Sequence, residues 1–183
     1  MRRLVAWNLM TLDGYFEGKT PWALDFHETV WGDELHDFSL EQGREAGTLL
    51  FGRRTYEGMA DYWTKATGDI ADMMNSIDKA VATRTLDEAT WNNTRLLKGD
   101  AVEAVRALKA EDRKDIFVFG SANLLDSLLT AGLVDEYRIC LAPVVLGGGN
   151  PLFKPRESEL RMRLESTRPL KTGGVVLTYR MNG

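Results

Sequence analysis

Apolar residues fall along this chain in short dense runs, and between them lie stretches whose apolar positions recur every three or four residues, so the pattern alternates between strand and helix. Residues 3–10, Arg-Leu-Val-Ala-Trp-Asn-Leu-Met, are almost continuously apolar, as a strand covered on both faces would be, and Asn8 is the polar exception inside it. Thr48–Phe51, Lys79–Arg84, Thr94–Lys98 and Asp115–Phe119 read as further strands, the last being the clearest. Helical spacing links Leu35, Phe38 and Gln42 within Asp33–Ala46, and a second helix runs through Tyr56, Met59 and Tyr62 with Thr55 as its cap. Asp69 is placed to cap a short helix carrying Ile70, Met73 and Met74, with the methionines as core filler. Asp100–Ala110 turns Val102, Val105 and Leu108 inward. A leucine-rich helix from Leu124 to Leu129 ends at Gly132, Glu136–Ala142 alternates as a strand up to Pro143, and Arg161–Glu165 with Val175–Met181 forms a closing hairpin.

Two of the strand ends change the picture from architecture to chemistry. Thr48-Leu49-Leu50-Phe51 runs into Gly52-Arg53-Arg54-Thr55, where a glycine lets the backbone turn tightly and the next helix presents its free N–H groups and positive dipole end. Two arginines at that point fit a phosphate-bearing ligand, and fit equally an ordinary strand-to-helix turn with solvated side chains. Asp115–Phe119 then repeats the arrangement at Gly120-Ser121-Ala122-Asn123, with little side-chain bulk to hold a phosphate off, and Lys79–Ala82 ends in Thr83-Arg84. Several such ends together favour a dinucleotide, although the glycines do not follow the spacing of a Rossmann fingerprint. Thr11-Leu12-Asp13-Gly14-Tyr15-Phe16-Glu17-Gly18 reads as a mobile loop able to cover a ligand. Trp22, Phe26 and Trp31 beside acidic residues suit a flat organic substrate. Gly147-Gly148-Gly149-Asn150 reads as a structural turn.

Composition narrows the class further. The 183 residues fit one domain spanning 1–183, and 44% hydrophobic with 27% charged residues is the balance of a globular protein. A net charge of -4 argues against a nucleic-acid or membrane-surface partner, so an anion site must be local. The single cysteine, Cys140, reads as a small core residue in a reducing compartment, and the protein is expected in the cytoplasm. His27 and His36 lack partners at metal-ligand spacing, read as loop and helix-surface residues, and lead to the expectation of no metal.

On Thr11-Leu12-Asp13-Gly14, Phe51-Gly52-Arg53-Arg54-Thr55-Tyr56, Gly120-Ser121-Ala122-Asn123-Leu124, Gly132–Glu136 and Pro143–Gly149 followed by Pro151-Leu152-Phe153, the chain resembles the dihydrofolate reductase-like superfamily. Within it, the chain is most similar to stand-alone relatives of the C-terminal reductase domain of the riboflavin-pathway bifunctional deaminase-reductase. The resemblance implies an α/β fold of three layers, α/β/α, with a mostly parallel central sheet and a C-terminal antiparallel hairpin. It implies NADPH as cofactor, held by Gly52, Arg53, Arg54 and Thr55 at the 2′-phosphate end, by Thr83 and Arg84 beside the adenosine, and by Phe119, Gly120, Ser121, Ala122, Asn123 and Leu124 around the pyrophosphate. Leu9 and Phe16 would frame the nicotinamide, with Asn8, Trp22 and Tyr56 at a small, heterocyclic substrate. The catalytic acid would be Asp25, which follows Pro21-Trp22 more closely than in dihydrofolate reductases; Asp33, Asp37 or no carboxylate are the alternatives. Ala60-Asp61-Tyr62-Trp63 stands where riboflavin-pathway reductases carry an Asp-Asp-Pro segment and an arginine for a ribose phosphate. A homodimer through a sheet edge near Tyr137–Pro143 is expected. A protein that binds NADPH without reducing anything, and a true dihydrofolate reductase, are the rival readings.

Overall fold

The computed structural model describes residues 1–182. An eight-stranded sheet forms from β1 (Leu4–Thr11), β3 (Ala46–Gly52), β4 (Lys79–Ala82), β5 (Thr94–Leu97), β6 (Asp115–Phe119), β7 (Glu136–Ala142), β9 (Met162–Pro169) and β10 (Val175–Met181), in the order β5-β4-β3-β6-β1-β7-β10-β9. The pairings from β5 through to β7 are parallel, and β10 joins β7 and β9 antiparallel. A two-stranded antiparallel ribbon pairs β2 (Tyr15–Glu17) with β8 (Asn150–Pro151).

Helices cover both faces, as the doubly apolar central strands require. Val5, Trp7, Leu49, Phe51 and Phe117 face one layer, formed by α1 (Asp33–Glu45), α2 (Arg53–Trp63) and α3 (Asp69–Ser76). Leu4, Ala6, Leu50, Ile116 and Val118 face the other, where α4 (Ala101–Ala110) and α5 (Ala122–Thr130) supply Val105, Leu108, Leu125 and Leu128. The alternation of neighbours between layers is the two-residue period of a strand made visible. Cys140 is fully buried in the first layer, and burial pushes its thiol up to about 12, so it is an inert core residue.

Four expectations need correction. Thr55 does not cap α2: it lies inside the first turn, and Gly52 occupies the capping position. Asp69 is likewise the first residue of α3 rather than its cap, which is Gly68 at φ 102°, a left-handed conformation that glycine adopts without strain. Residues 15–17, expected within a mobile loop, form β2. Its loop is tied down by the Asp13 carboxylate, which accepts the N–H groups of Leu146 and Gly147 at 3.2 and 2.7 Å. Most consequentially, β7 is not an edge: it lies between β1 and β10, so Tyr137–Ala142 offers no free strand to a second copy. The edge on that side is β9, whose residues after Met162 are exposed along the whole strand. Asp100, by contrast, caps α4 as expected, accepting from the Glu103 N–H at 3.0 Å.

Candidate functional site

A cavity of about 400 Å³ opens where β3 and β6 end, beside Trp7, Asn8 and Leu9 of β1. Its position follows from topology. From β3 the chain leaves through α2 and α3 toward β4, on one side of the sheet order; from β6 it leaves through α5 toward β7, on the other. Between two neighbouring strands whose connections diverge, nothing fills the space beyond their carboxyl ends, and ligands bind there.

Part of this cleft is lined by two strand-to-helix turns. Gly52, Arg53, Arg54 and Thr55 line it from α2, and Gly120, Ser121, Ala122, Asn123 and Leu124 from α5. Neither helix has a side-chain cap, and neither has an acidic residue in its first turn. The other three α-helices all carry acids there: Asp33 and Glu34, Asp69 and Asp72, and Glu103. The two helices that start at the cleft are thus the two whose free N–H groups and positive dipole ends are left uncompensated. Arg53 is already engaged, 3.1 Å from Glu57 one turn along, whereas Arg54 has no hydrogen-bond or ion-pair partner among the described residues.

The two turns are held together by one hydroxyl. Ser121 Oγ accepts the Gly52 N–H at 3.0 Å and donates to the Phe119 carbonyl at 3.1 Å. To make these contacts Ser121 takes φ 56°, a left-handed conformation that costs a residue with a side chain about 1 kcal/mol. Gly120 before it is also left-handed, and a Cβ there would lie 3.2 Å from the Thr55 methyl group. Glycine at this position therefore serves both the backbone turn and the close approach of α2 and α5.

The other half is apolar with a polar floor. Trp7, Leu9, Phe16, Trp22, Trp63 and Phe119 are among its walls, with Met59, Met73 and Met74. Trp22 adopts φ 64° and donates its N–H to Glu17 at 2.7 Å. Its indole lies so close to α2 that a Cβ on Gly58 would be 1.9 Å from the ring. A glycine inside a helix is unfavourable by about 1 kcal/mol relative to alanine, and here it makes room for that ring. At the floor, Asn8 Nδ2, His27 Nε2 and Gln42 Oε1 are buried without any hydrogen-bond partner. Burial lowers the His27 imidazole to about 4, so it is neutral at pH 7. Glu17 is the one carboxylate lining the cleft among the described residues, and it is held by the Trp22 N–H and by the Asn150 amide at 3.1 Å.

Four expected site residues, Asp25, Tyr56, Thr83 and Arg84, stand outside the lining. Asp25 is exposed on a 3-10 turn (Asp25–Thr29) and outside the cleft lining, as are Asp33 and Asp37 on α1. Tyr56 is only 2% exposed; its ring packs against Phe51 and Trp91, and its hydroxyl accepts the Trp91 N–H at 2.9 Å, so it belongs to the core. Thr83, just beyond the Ala82 that pairs with Gly52, also lies outside the lining, its hydroxyl accepting the N–H groups of Thr85 and Leu86. Arg84 beside it is exposed. Conversely, His27, read as a loop residue, is half-buried and lines the cleft, a placement that the chain order hides. Gln42 carried a signal: a polar residue in line with Leu35 and Phe38 on the buried stripe of α1. His36 is a helix-surface residue, its Nε2 2.9 Å from Asp69. Among the described residues no group of three His, Cys, Asp or Glu is placed to hold a metal, and no helix is long and apolar enough to cross a membrane.

Comparison with known protein families matches residues 2–176 to the RibD C-terminal domain. The chain belongs to that family. This RibD C-terminal domain protein is 30% identical over 190 residues to the uncharacterized protein YyaP of Bacillus subtilis, covering 100% of this chain and 96% of the relative. Among solved structures, a putative riboflavin biosynthesis protein from Shewanella shares the fold with a TM-score of 0.82 at 22% identity, over 99% of both chains. Dihydrofolate reductase from Enterococcus faecalis, solved with NADP(H) bound, aligns with a TM-score of 0.63 at 16% identity, over 99% of this chain and 97% of that one. The family and the dihydrofolate reductase-like α/β fold are thereby established for this chain.

Proposed function

We propose that the protein is an NADPH-dependent reductase of a small heterocyclic compound. The observation that carries this reading is the pairing of two uncapped, acid-free helix N-termini with the unpaired Arg54 at one end of an aromatic cleft. The residues fit a dinucleotide phosphate. The first-turn N–H groups of α2 and α5 would meet the pyrophosphate and its neighbours, the left-handed Gly120 and Ser121 keep side chains clear of it, and Arg54 would take the 2′-phosphate that distinguishes NADPH from NADH. Membership of the RibD C-terminal domain family, and the NADP(H) bound to the structurally similar dihydrofolate reductase, support the same cofactor.

When bound, reduced nicotinamide supplies a hydride. The chain's own contribution is positioning: Leu9, Phe16 and Phe119 flank the space between the anion end and the aromatic end, while the tryptophans exclude water and orient a flat ring against the cofactor. Thermal denaturation with and without NADPH tests the first step. A rise of several degrees with NADPH and a smaller one with NADH supports the reading, and no shift with either overturns it. The engaged state of Glu17 favours a second reading, a protein that binds NADPH without turnover, because no other cleft carboxylate among the described residues can deliver a proton. Saturable binding with no NADPH oxidation over a panel of pterins, flavins and aminopyrimidines would select it.

A further inference from the structure

The three unpartnered polar atoms at the floor of the cleft carry more than the proposed function uses. Buried polar groups are almost always hydrogen-bonded, because an unmet donor or acceptor away from water costs about 1–3 kcal/mol. Among the described residues, the buried side-chain atoms that break this rule are Asn8 Nδ2, His27 Nε2 and Gln42 Oε1, and all three residues line one cavity. They come from three separate elements: the middle of β1, the 3-10 turn and the buried face of α1. Asn8 is 5% and Gln42 3% exposed, so they are fixed by packing. Three such residues lining one cavity offer a ligand a set of fixed hydrogen-bonding positions.

The chemistry of the floor defines the ligand. Asn8 Nδ2 can only donate, Gln42 Oε1 can only accept, and His27 Nε2 does either according to its tautomer. Each of the three is uncharged at neutral pH, His27 because burial holds its imidazole at about 4. The cationic side chains of the cleft, Arg53 and Arg54, belong to the turn after β3, which the reductase reading gives to the cofactor, and its one carboxylate among the described residues, Glu17, is held by Trp22 and Asn150. A charged ring would be buried here without a counter-charge, which is strongly unfavourable, whereas a neutral ring with adjacent donor and acceptor atoms would satisfy every group. We propose that Asn8, His27 and Gln42 form the specificity-determining floor of the substrate site, and that it takes an uncharged, unphosphorylated planar heterocycle carrying an amide or imide edge. This deepens the reductase reading, on which it rests for the assignment of the other half of the cleft to the cofactor.

Three fluorescent or competing probes separate the possibilities: lumichrome, an uncharged ring with an imide edge; trimethoprim, a diaminopyrimidine that binds as a cation beside a carboxylate; and flavin mononucleotide, which adds a phosphate. Each is titrated against the full chain with and without NADP+, and NADP+ affinity is measured separately. The proposal expects lumichrome to bind more tightly than the other two, with Asn8→Leu, His27→Phe and Gln42→Met each weakening it about tenfold, one hydrogen bond's worth, and NADP+ affinity unchanged. Gln42→Glu keeps the shape and adds a charge, so it should reverse the order in favour of trimethoprim, and this gain cannot arise from misfolding. Lumichrome binding that responds to these variants in a protein with no affinity for NADP+ upholds the floor and overturns the cofactor reading. Normal NADP+ binding together with no lumichrome binding, with tighter trimethoprim or flavin mononucleotide binding, or with variants that leave lumichrome unaffected overturns the floor and spares the cofactor reading. Failure of NADP+ and lumichrome alike overturns both.

Discussion

The two halves of the cleft are built on opposite electrostatic terms. At the end of β3 and β6, charge is supplied in excess: two helix N-termini without acids in their first turns, and Arg54, which has no partner among the described residues. At Asn8, His27 and Gln42, charge is withheld: the three groups are a neutral amide, a neutral imidazole and another amide, each with a buried, unpartnered polar atom. An anion needs fixed positive partial charges that no local group neutralises, whereas a neutral ring needs shape and a few uncharged hydrogen-bonding atoms. On the proposed reading, one cleft would sort a dinucleotide and a flat ring by charge before it sorts them by shape.

The largest effect expected from this contrast concerns the neutral half. An unfolded histidine titrates near 6.5, and burial lowers His27 to about 4. Between those values the unfolded chain holds a proton that the folded chain does not, so stability falls as pH falls through this window, by about 3 kcal/mol in total. Denaturant unfolding at a series of pH values should show the slope in the native sequence and lose that share of it in His27→Phe. An unchanged slope would mean that His27 reaches solvent and that the floor is wet.

Next comes the wall between the halves. Gly58→Val would drive a side chain into the indole of Trp22, which a Cβ alone would approach to 1.9 Å. The ring must leave, and because Trp22 is already 43% exposed the change is read as stability, a loss of about 1–3 kcal/mol in denaturant unfolding. Smaller still is the clamp between the two anion-binding turns. Ser121→Ala removes the hydrogen bonds to Gly52 and Phe119 and keeps the left-handed conformation, and should cost about 1 kcal/mol by thermal denaturation. Ser121→Gly removes the same bonds but also the strain, so it should be the less destabilised of the two, unless the strain is absent.

Legibility in the sequence divides along the same line. The two strand-to-helix turns of the cleft were readable because their parts are neighbours in the chain: an apolar strand, a glycine, then arginines or a serine opening a helix, as at Phe51-Gly52-Arg53-Arg54 and Phe119-Gly120-Ser121. Local sequence writes local structure, and the central strands were found for the same reason. The floor is assembled from β1, the 3-10 turn and α1, which only the completed sheet brings together, so no spacing could announce it. Asn8 stood out as a polar break in an apolar strand, Gln42 as a polar member of a buried stripe, and His27 by nothing at all. The same limit explains Tyr56, whose helical position was right and whose direction was not, since the core formed by Phe51 and Trp91 claims it. The expected sheet edge at β7 failed because β10 returns from the C-terminal hairpin to pair with it, a long-range event invisible in the strand's own residues.

The most direct test of the account is calorimetric titration of NADPH and NADH into the native chain and into Arg53→Ala and Arg54→Ala. Arg53 is paired with Glu57 and Arg54 is not, so the account predicts that Arg54→Ala weakens NADPH by about tenfold or more, that Arg53→Ala does less, and that NADH changes little in either. Equal losses for NADPH and NADH in Arg54→Ala, or no loss for NADPH, would contradict the assignment of this strand end to the 2′-phosphate.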